Sequence, residues 1–156
     1  MRKIFFAVML VLCGATVVAQ TDLFNRYAAR TDVKVASVTG FPLDTTGLTA
    51  DVTLLEALDD TGWEWLCQEF GLIALSEEQQ RQLSQGWEVS MFTQRDRRDP
   101  TRPAPVRDEK IDVANSCYVG VSYLSRTLYI FCCTTEQQSD VVIDYLIKKM
   151  RSPRKP

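Results

Sequence analysis

Thiols and carboxylates are the groups in this sequence that could carry chemistry, because histidine is absent. The 156 residues include five cysteines and no histidine. A Ser-His-Asp or Cys-His mechanism uses an imidazole as its base, so neither mechanism is available within this chain. Zinc and iron sites that contain histidine ligands are excluded for the same reason.

Four cysteines follow the N-terminal segment, and their spacing argues against a redox motif or a metal site. They are Cys67, Cys117, Cys132 and Cys133, and no C-x-x-C pair is among them. Since Cys132 and Cys133 are neighbours on a predicted strand, their side chains face opposite ways, so they do not suit a mutual bond or one shared ion. We expect either small buried apolar thiols or one structural disulfide.

The disulfide considered is Cys117–Cys133, across a predicted β-hairpin. The segments 117–123 and 128–133 are rich in β-branched and aromatic residues, which favour strands. A three-residue loop, 124–126, would place Cys117 opposite Cys133. A two-residue turn would instead place Cys117 opposite Thr134 and Cys133 opposite Tyr118. The sequence leaves both registers open.

Two carboxylate pairs are the remaining candidates for catalysis. They are Asp59-Asp60 and Glu77-Glu78, and paired carboxylates can serve as acid and base. Both pairs stand at predicted helix starts, where the helix dipole favours negative charge without any catalytic role. No Gly-rich phosphate loop or nucleophile elbow is present. We therefore predict no catalytic residue, no metal site and no cofactor.

Two tryptophans lie in a predicted amphipathic helix that ends at Gly71. Trp63 shares a face with Leu66 and Phe70, and Trp65 lies beside that face. Aromatic residues in this pattern are typical of a core. The alternative is that Trp63 and Trp65 form a platform on which sugars or apolar peptides stack.

The segment 94–110 is rich in arginine and proline and contains almost no apolar residues. Such a composition predicts a mobile loop between two strands, because the segment has little apolar surface to bury. The alternative is an exposed basic contact for an acidic partner or an anionic polymer. The arginines considered for that contact are Arg95, Arg97, Arg98 and Arg102.

The first nineteen residues are typical of an export signal. A basic start precedes the apolar run 4–12 and small residues before Gln20. That run is shorter than the ~20 residues needed to span a bilayer, and Leu12 before Cys13 does not suit a lipoprotein signal. We expect a mature chain of 137 residues (156 − 19) with 16 basic and 20 acidic side chains, a net charge of about −4. The predicted location is the periplasm or cell envelope, and the charge gives no sign of a nucleic-acid binder.

The remaining patterns predict one α+β domain over residues 20–156. Helices are expected near 21–30 and 139–150, and two more begin at capping boxes, Thr61 with Glu64 and Ser76 with Gln79. Strands are expected at 33–39 and 87–93 as well as in the hairpin, whereas 48–58 is ambiguous and tends to strand. We predict a mainly antiparallel sheet of four or five strands, covered by the N- and C-terminal helices.

Part of the sequence resembles a family of small exported proteins. The signal ends in V-V-A-Q, and L-F-N-R-Y-A-A-R precedes the Val-rich segment V-K-V-A-S-V. This start, together with the closing strand-strand-helix pattern, is similar to small exported proteins of Bacteroidetes type that are described as domains of unknown function. The resemblance covers about half of the mature chain. It implies export and a small α+β domain, and it implies no catalytic residues.

Three functions are compatible with these observations. The leading hypothesis is a non-catalytic envelope or periplasmic module that binds a protein or another cell-surface component. The second is an enzyme, either a carboxylate-dependent hydrolase or a thiol-based redox protein. The third is a structural subunit that forms homo-oligomers through its apolar C-terminal helix.

Overall fold

The computed structural model describes residues 25–43, 47–132 and 136–151. The described helices are α1 (residues 25–28), α2 (Asp60–Phe70), α3 (Glu77–Ser84) and α4 (Glu136–Arg151). The strands are β1 (Val33–Pro42), β2 (Thr49–Ala57), β3 (Ser90–Asp96), β4 (Val106–Arg107), β5 (Lys110–Ile111), β6 (Ser116–Ser122) and β7 (Thr127–Cys132). The ambiguous segment 48–58 is therefore a strand, as the sequence tended to predict.

A five-stranded antiparallel sheet forms the centre of the fold, in the order β1-β2-β7-β6-β3. The predicted α+β class and antiparallel sheet are confirmed. Strands β1 and β2 form one hairpin, and β6 and β7 form another. The helices α2 and α3 connect β2 to β3 at the far edge of the sheet. This long connection places the C-terminal hairpin in the middle of the sheet, with β7 beside β2.

Each face of the sheet has its own apolar core, because side chains along a strand alternate between the faces. On one face, Leu55, Val119 and Ile130 pack with Tyr27 from α1 and Phe70 from α2. The opposite core also contains α4 residues and comprises Leu43, Ala50, Val52, Tyr118, Phe131, Val142 and Leu146. Because it is covered on both sides, β6 is buried over its whole length. The architecture is thus helices, sheet, helix.

Helix α4 covers the sheet as the apolar C-terminal pattern predicts. Val142 and Leu146 are buried against the sheet, and Tyr145 packs edge-on against Phe41 and Phe131. The buried hydroxyl of Ser139 shares a hydrogen bond with Tyr118 of β6. The apolar side chains of this helix thus pack against the sheet of the same chain, and their burial stabilises the fold.

The two middle helices show one confirmed cap and one corrected cap. The box of Ser76 and Gln79 is present at the start of α3, with both reciprocal hydrogen bonds. The box predicted at Thr61 is wrong. Asp59 is the N-cap of α2, and its carboxylate accepts a hydrogen bond of 2.8 Å from the backbone N–H of Gly62. Aspartate is as good a cap as threonine, so the helix begins earlier than Thr61 would allow.

The segment predicted as a mobile loop contains regular hydrogen bonding. Strand β3 runs on to Asp96, and a backbone hydrogen bond of 3.0 Å joins the N–H of Asp96 to Arg102. Farther on, β4 and β5 form a separate two-stranded ribbon. The segment thus has more local structure than its composition indicates, and its mobility stays a prediction. No helix within the described ranges is long and apolar enough to cross a membrane.

Candidate functional site

The hairpin register differs from both predicted alternatives. Ser122 pairs with Thr127, so the loop has four residues, 123–126. Cys117 consequently lies opposite Cys132 rather than opposite Cys133 or Thr134, and Tyr118 lies opposite Phe131. Since the side chains of Cys117 and Cys132 share one face of the sheet, the register brings together two thiols that the sequence did not pair. Cys133 is outside the described residues, so the Cys117–Cys133 disulfide stays a prediction.

The two opposed thiols have different surroundings. Cys117 is fully buried, and its Sγ donates a hydrogen bond of 3.5 Å to the backbone oxygen of Asp96. Cys132 is partly exposed at the end of β7. A hydrogen bond with Cys117 lowers the pKa of Cys132 against the effect of burial, and the charge of Arg97 adds to this lowering while that of Asp51 opposes it. Cys67 is a third thiol, and burial raises its pKa.

The tryptophans are partly exposed and pack against neighbours on the α2 side of the sheet. Trp63 is half-buried and meets the ring of Tyr123 edge-on at 5.7 Å. Trp65 contacts Tyr27 edge-on at 5.3 Å, and the guanidinium of Arg30 lies 4.3 Å from its ring centre. Both side chains pack against the core on the α2 side of the sheet. Each ring has neighbours in contact, which favours the packing interpretation, and the ligand platform stays a prediction.

The four arginines considered for an anionic partner do not act as one group. Arg95 is partly buried and donates hydrogen bonds to the backbone oxygens of Phe70 and Thr101. Its charge therefore stabilises the C-terminal end of α2, where unsatisfied carbonyls favour a cation. Arg97 lies near Cys132, Arg102 forms a loose 3.4 Å ion pair with Asp99, and Arg98 is exposed.

Residues 97–113, which we call the arm, project from the sheet between β3 and β6. Its base is closed by a 2.8 Å backbone hydrogen bond from Arg97 to Asn115 and a 2.9 Å bond from Asp112 to Pro105. Its end is the β4–β5 ribbon, in which Val106 lies opposite Ile111. The arm is thus a supported projection, although the sequence predicts only a loop in this place.

The ribbon exposes an apolar pair on one face and a like-charged pair on the other. Val106 is 67% exposed and Ile111 is 45% exposed. Arg107 and Lys110 lie opposite each other, so their positive charges are adjacent. Like charges in directly opposed positions destabilise a ribbon, and two strands of two residues bury too little to compensate. The contacts within the ribbon therefore do not explain why these four residues occupy these positions.

The backbone conformation of the turn at the end of the ribbon is a second feature that destabilises it. Asp108 and Glu109 have φ angles of 52° and 62°. This is the left-handed region, which a two-residue hairpin turn requires at both positions and which glycine or asparagine fill most easily. Strained backbone at an exposed turn is a feature that recurs at contact sites.

The carboxylate pairs have structural contacts. Asp59 caps α2, and Asp60 forms an ion pair with Arg126. Glu78 accepts hydrogen bonds from Arg81 on the same helix, which lowers its pKa. Among the described residues there is no group of three or more cysteine and carboxylate side chains that could hold a metal ion.

Two spaces beside α4 differ greatly in size. An apolar pocket between the sheet and α4, lined in part by Met91, Gly120 and Leu146, has an open volume of about 10 Å³, which is the space of about one water. A wider groove of about 350 Å³ runs along α4 past Leu43 and Asp140. The groove has apolar and charged side chains along it, but it is open to solvent, whereas ligand sites are typically enclosed.

Comparison of the chain with protein-family models, with curated proteins and with solved structures gives no match. The functional argument therefore rests on the geometry of this chain. The feature that the sequence reasoning missed is the β4–β5 ribbon. A signal for it was present, since Val106 and Ile111 flank Arg107, Asp108, Glu109 and Lys110 in the symmetrical order expected of a two-residue hairpin.

Proposed function

We propose that this chain is an exported, non-catalytic module that binds a protein of the cell envelope through its arm. The observation that carries the proposal is the ribbon end of the arm, where Val106 and Ile111 are exposed side by side next to an opposed Arg107–Lys110 pair. Exposed apolar residues grouped on a projection are typical of protein contacts. A partner that covers the apolar pair would remove its contact with water, which favours association.

The charges indicate the chemistry of the partner. Carboxylates placed between Arg107 and Lys110 would relieve the repulsion of the two cations and would gain charge-assisted hydrogen bonds. Exposed Arg98 and Arg102 lie earlier in the same arm and could add to this attraction. The proposed partner surface is therefore an apolar patch that covers the face of Val106 and Ile111, with acidic side chains at its border that reach Arg107 and Lys110 on the other face. This arrangement replaces the predicted contact through all four arginines, since Arg95 is engaged within the fold.

Export is part of the proposal. The pattern of residues 1–19 and the likeness to small exported proteins of Bacteroidetes type support a location in the periplasm or cell envelope. The third hypothesis, self-association through α4, has less support. The described side chains of that helix provide none of the exposed large apolar residues, while the arm provides Val106, Ile111 and Val113.

The proposal is tested by capture from the native envelope with a tagged chain and matched variants. Val106→Thr/Ile111→Thr removes apolar surface from the arm but keeps β-branched side chains in the ribbon. Leu124→Thr is the control, because Leu124 is 46% exposed in the β6–β7 loop and Ile111 is 45% exposed. We expect the original chain and the control to retain an envelope protein, and the arm variant to retain at least about tenfold less of it. A loss of this size is expected when residues at the centre of an interface are changed.

A second variant tests the charge argument. Lys110→Glu would pair with Arg107 inside the ribbon and should weaken capture while leaving the thermal unfolding temperature unchanged or higher. Equal capture by the original chain and both arm variants would disprove binding through the arm. Sedimentation of the purified chain tests the self-association alternative. A dimer that persists after the arm substitutions would show that two copies associate through another surface.

A further inference from the structure

The hydrogen-bond pattern of the sheet fixes how Cys132 is oriented toward its two neighbouring strands. The N–H of Ala57 donates a 3.0 Å hydrogen bond to the oxygen of Arg126. These two residues are opposed in the β2–β7 register, and hydrogen-bonded pairs recur at every second position of an antiparallel ladder. Counting along β7, Cys132 belongs to this set and pairs with Asp51. The N–H and C=O groups of Cys132 therefore point toward β2 and away from β6.

The same count on the other side of the sheet gives the orientation of Cys117. The N–H of Tyr123 donates a 2.9 Å hydrogen bond to the oxygen of Val89, and the β3–β6 register opposes these residues. Every second position along β6 then bonds to β3, which includes Cys117 opposite Arg95. The backbone of Cys117 therefore points away from β7.

Both counts place Cys117 and Cys132 in a non-hydrogen-bonded pair, the closer of the two kinds of antiparallel pair. In such a pair the Cα atoms are about 4.5 Å apart, at the short end of the ~4.4–6.8 Å range that a disulfide spans. We propose that Cys117 and Cys132 form a reversible cross-strand disulfide when the chain meets a small-molecule disulfide oxidant. Cys117 and Cys132 are not bonded to each other in this structure. The proposal does not depend on the function proposed for the arm.

Exposure decides which thiol reacts first. Cys132 is partly exposed, whereas Cys117 is completely buried. The Cys132 thiolate attacks one sulfur of the oxidant, so that a Cys132–oxidant disulfide forms and one thiolate leaves. Cys117 then loses its proton to solvent and attacks the Cys132 sulfur, which forms the Cys117–Cys132 bond and releases the second thiolate. The two cysteines give up two protons and two electrons, and the oxidant becomes two thiols.

The position of this bond makes it both accessible and labile. It would join the two central strands where β6 begins, directly after the arm, and a reducing thiol could reach it through Cys132. Exposed disulfides are reduced more easily than buried structural ones, and this bond is partly exposed at Cys132. We therefore expect a bond that responds to the surrounding thiol–disulfide ratio.

The experiment uses the chain purified from cells that express its complete sequence. The reduced protein is equilibrated with buffers of increasing oxidised-to-reduced glutathione ratio, and its thiols are alkylated and counted by intact mass. We expect two fewer alkylated thiols at the oxidising end, full recovery at the reducing end, and a Cys117–Cys132 linkage in the peptide fragments. Cys67→Ser is the matched control and should lose two thiols in the same ratio range.

Two further variants separate this pair from Cys117–Cys133. Cys133→Ser should still form the bond, and Cys132→Ser should not. Because Cys132 is partly exposed, its serine variant should keep the fold, and circular dichroism checks this. The inference is overturned by a full thiol count in the oxidised original chain, by a bond that needs Cys133 rather than Cys132, or by a bond that excess reduced glutathione does not open.

Discussion

At the scale of single residues, Tyr27 shows how burial acts on a polar side chain. Its ring is fully buried between Trp65 and Phe70, and its hydroxyl has no hydrogen-bond partner among the described residues. Burial raises the pKa of Tyr27 to about 12, although the nearby charge of Arg26 acts in the opposite direction. The ring therefore contributes apolar area, while the hydroxyl loses its hydration.

Replacing Tyr27 by phenylalanine tests this balance. Tyr27→Phe keeps the ring contacts and removes the hydroxyl, so we expect the free energy of unfolding to rise by about 1 kcal/mol. Urea unfolding followed by circular dichroism measures the change. Tyr145→Phe on α4 is a control for the same substitution elsewhere. A loss of stability in Tyr27→Phe would mean that a residue outside the described ranges bonds to the hydroxyl.

Residue type was more predictable from the sequence than residue role. The arginine-rich composition of 94–110 identifies an exposed basic segment, but it does not show that the Arg95 guanidinium donates hydrogen bonds to the backbone oxygens of Phe70 and Thr101. Likewise, helical spacing identifies Trp65 as lying beside an apolar face, but the cation above its ring comes from Arg30, 35 positions earlier in the chain. Such contacts depend on tertiary packing that local patterns do not contain.

At the scale of elements, the close approach of α4 to the sheet depends on Gly120. A Cβ atom built at this position would lie 2.9 Å from the Cδ2 of Leu146. Because that atom is the end of a flexible side chain, Gly120→Ala should change stability by less than about 1 kcal/mol. The larger Gly120→Val should destabilise the protein by roughly 1–3 kcal/mol, since α4 must then shift.

A double-mutant cycle isolates this contact. In a Leu146→Ala background the clash is absent, so we expect most of the cost of Gly120→Val to disappear, an interaction energy of about 1 kcal/mol or more. Chemical unfolding of the four proteins gives the value. Additive costs would show that the valine acts on the strand itself and not through α4.

Elements with local signals were predicted well, and those that depend on distant pairing were not. Apolar periodicity and capping residues predicted α3 and α4, and the alternation of apolar and polar residues favoured a strand at β2. The register of β6 and β7 differs from both predicted alternatives, by one residue from the nearer, because the loop length could not be read from the sequence. The last loop residue, Arg126, has a left-handed φ of 52° that the sequence does not signal. A shift of one residue exchanges the partner of Cys117, and with it the candidate chemistry.

At the scale of the whole molecule, the sequence predicted the class of the fold but not the order of its strands. Insertion of the C-terminal hairpin between β2 and β3 follows from pairing across more than 70 positions, which no local pattern encodes. Ion pairs then tie distant parts together on the α2 side of the sheet. Arg26 lies 3.0 Å from Glu69 at the end of α2 and 3.7 Å from Asp99 in the arm, and Arg30 binds Asp32 with two hydrogen bonds.

These pairs predict a loss of stability in acid. Hydrogen bonds from Arg30 lower the pKa of Asp32, with burial acting in the opposite direction. For Asp99, burial raises the pKa, but the hydrogen bonds of Thr101 and the charges of Arg26 and Arg102 outweigh it, and the pKa is lowered. A carboxyl whose pKa is lower in the folded state stabilises the protein above its unfolded value of about 3.9, and that contribution is lost as the pH falls through the folded pKa.

Urea unfolding at neutral pH and at about pH 3 therefore distinguishes these carboxylates from ordinary surface ones. Asp32→Asn and Asp99→Asn should each lower the free energy of unfolding at neutral pH, and the difference from the original chain should shrink as the pH falls through the folded pKa of the carboxyl that was replaced. Asp140→Asn removes an exposed carboxylate from α4 and should leave the acid sensitivity as it is. If both substitutions lower stability equally at the two pH values, the charges of Asp32 and Asp99 are not the source of the acid sensitivity.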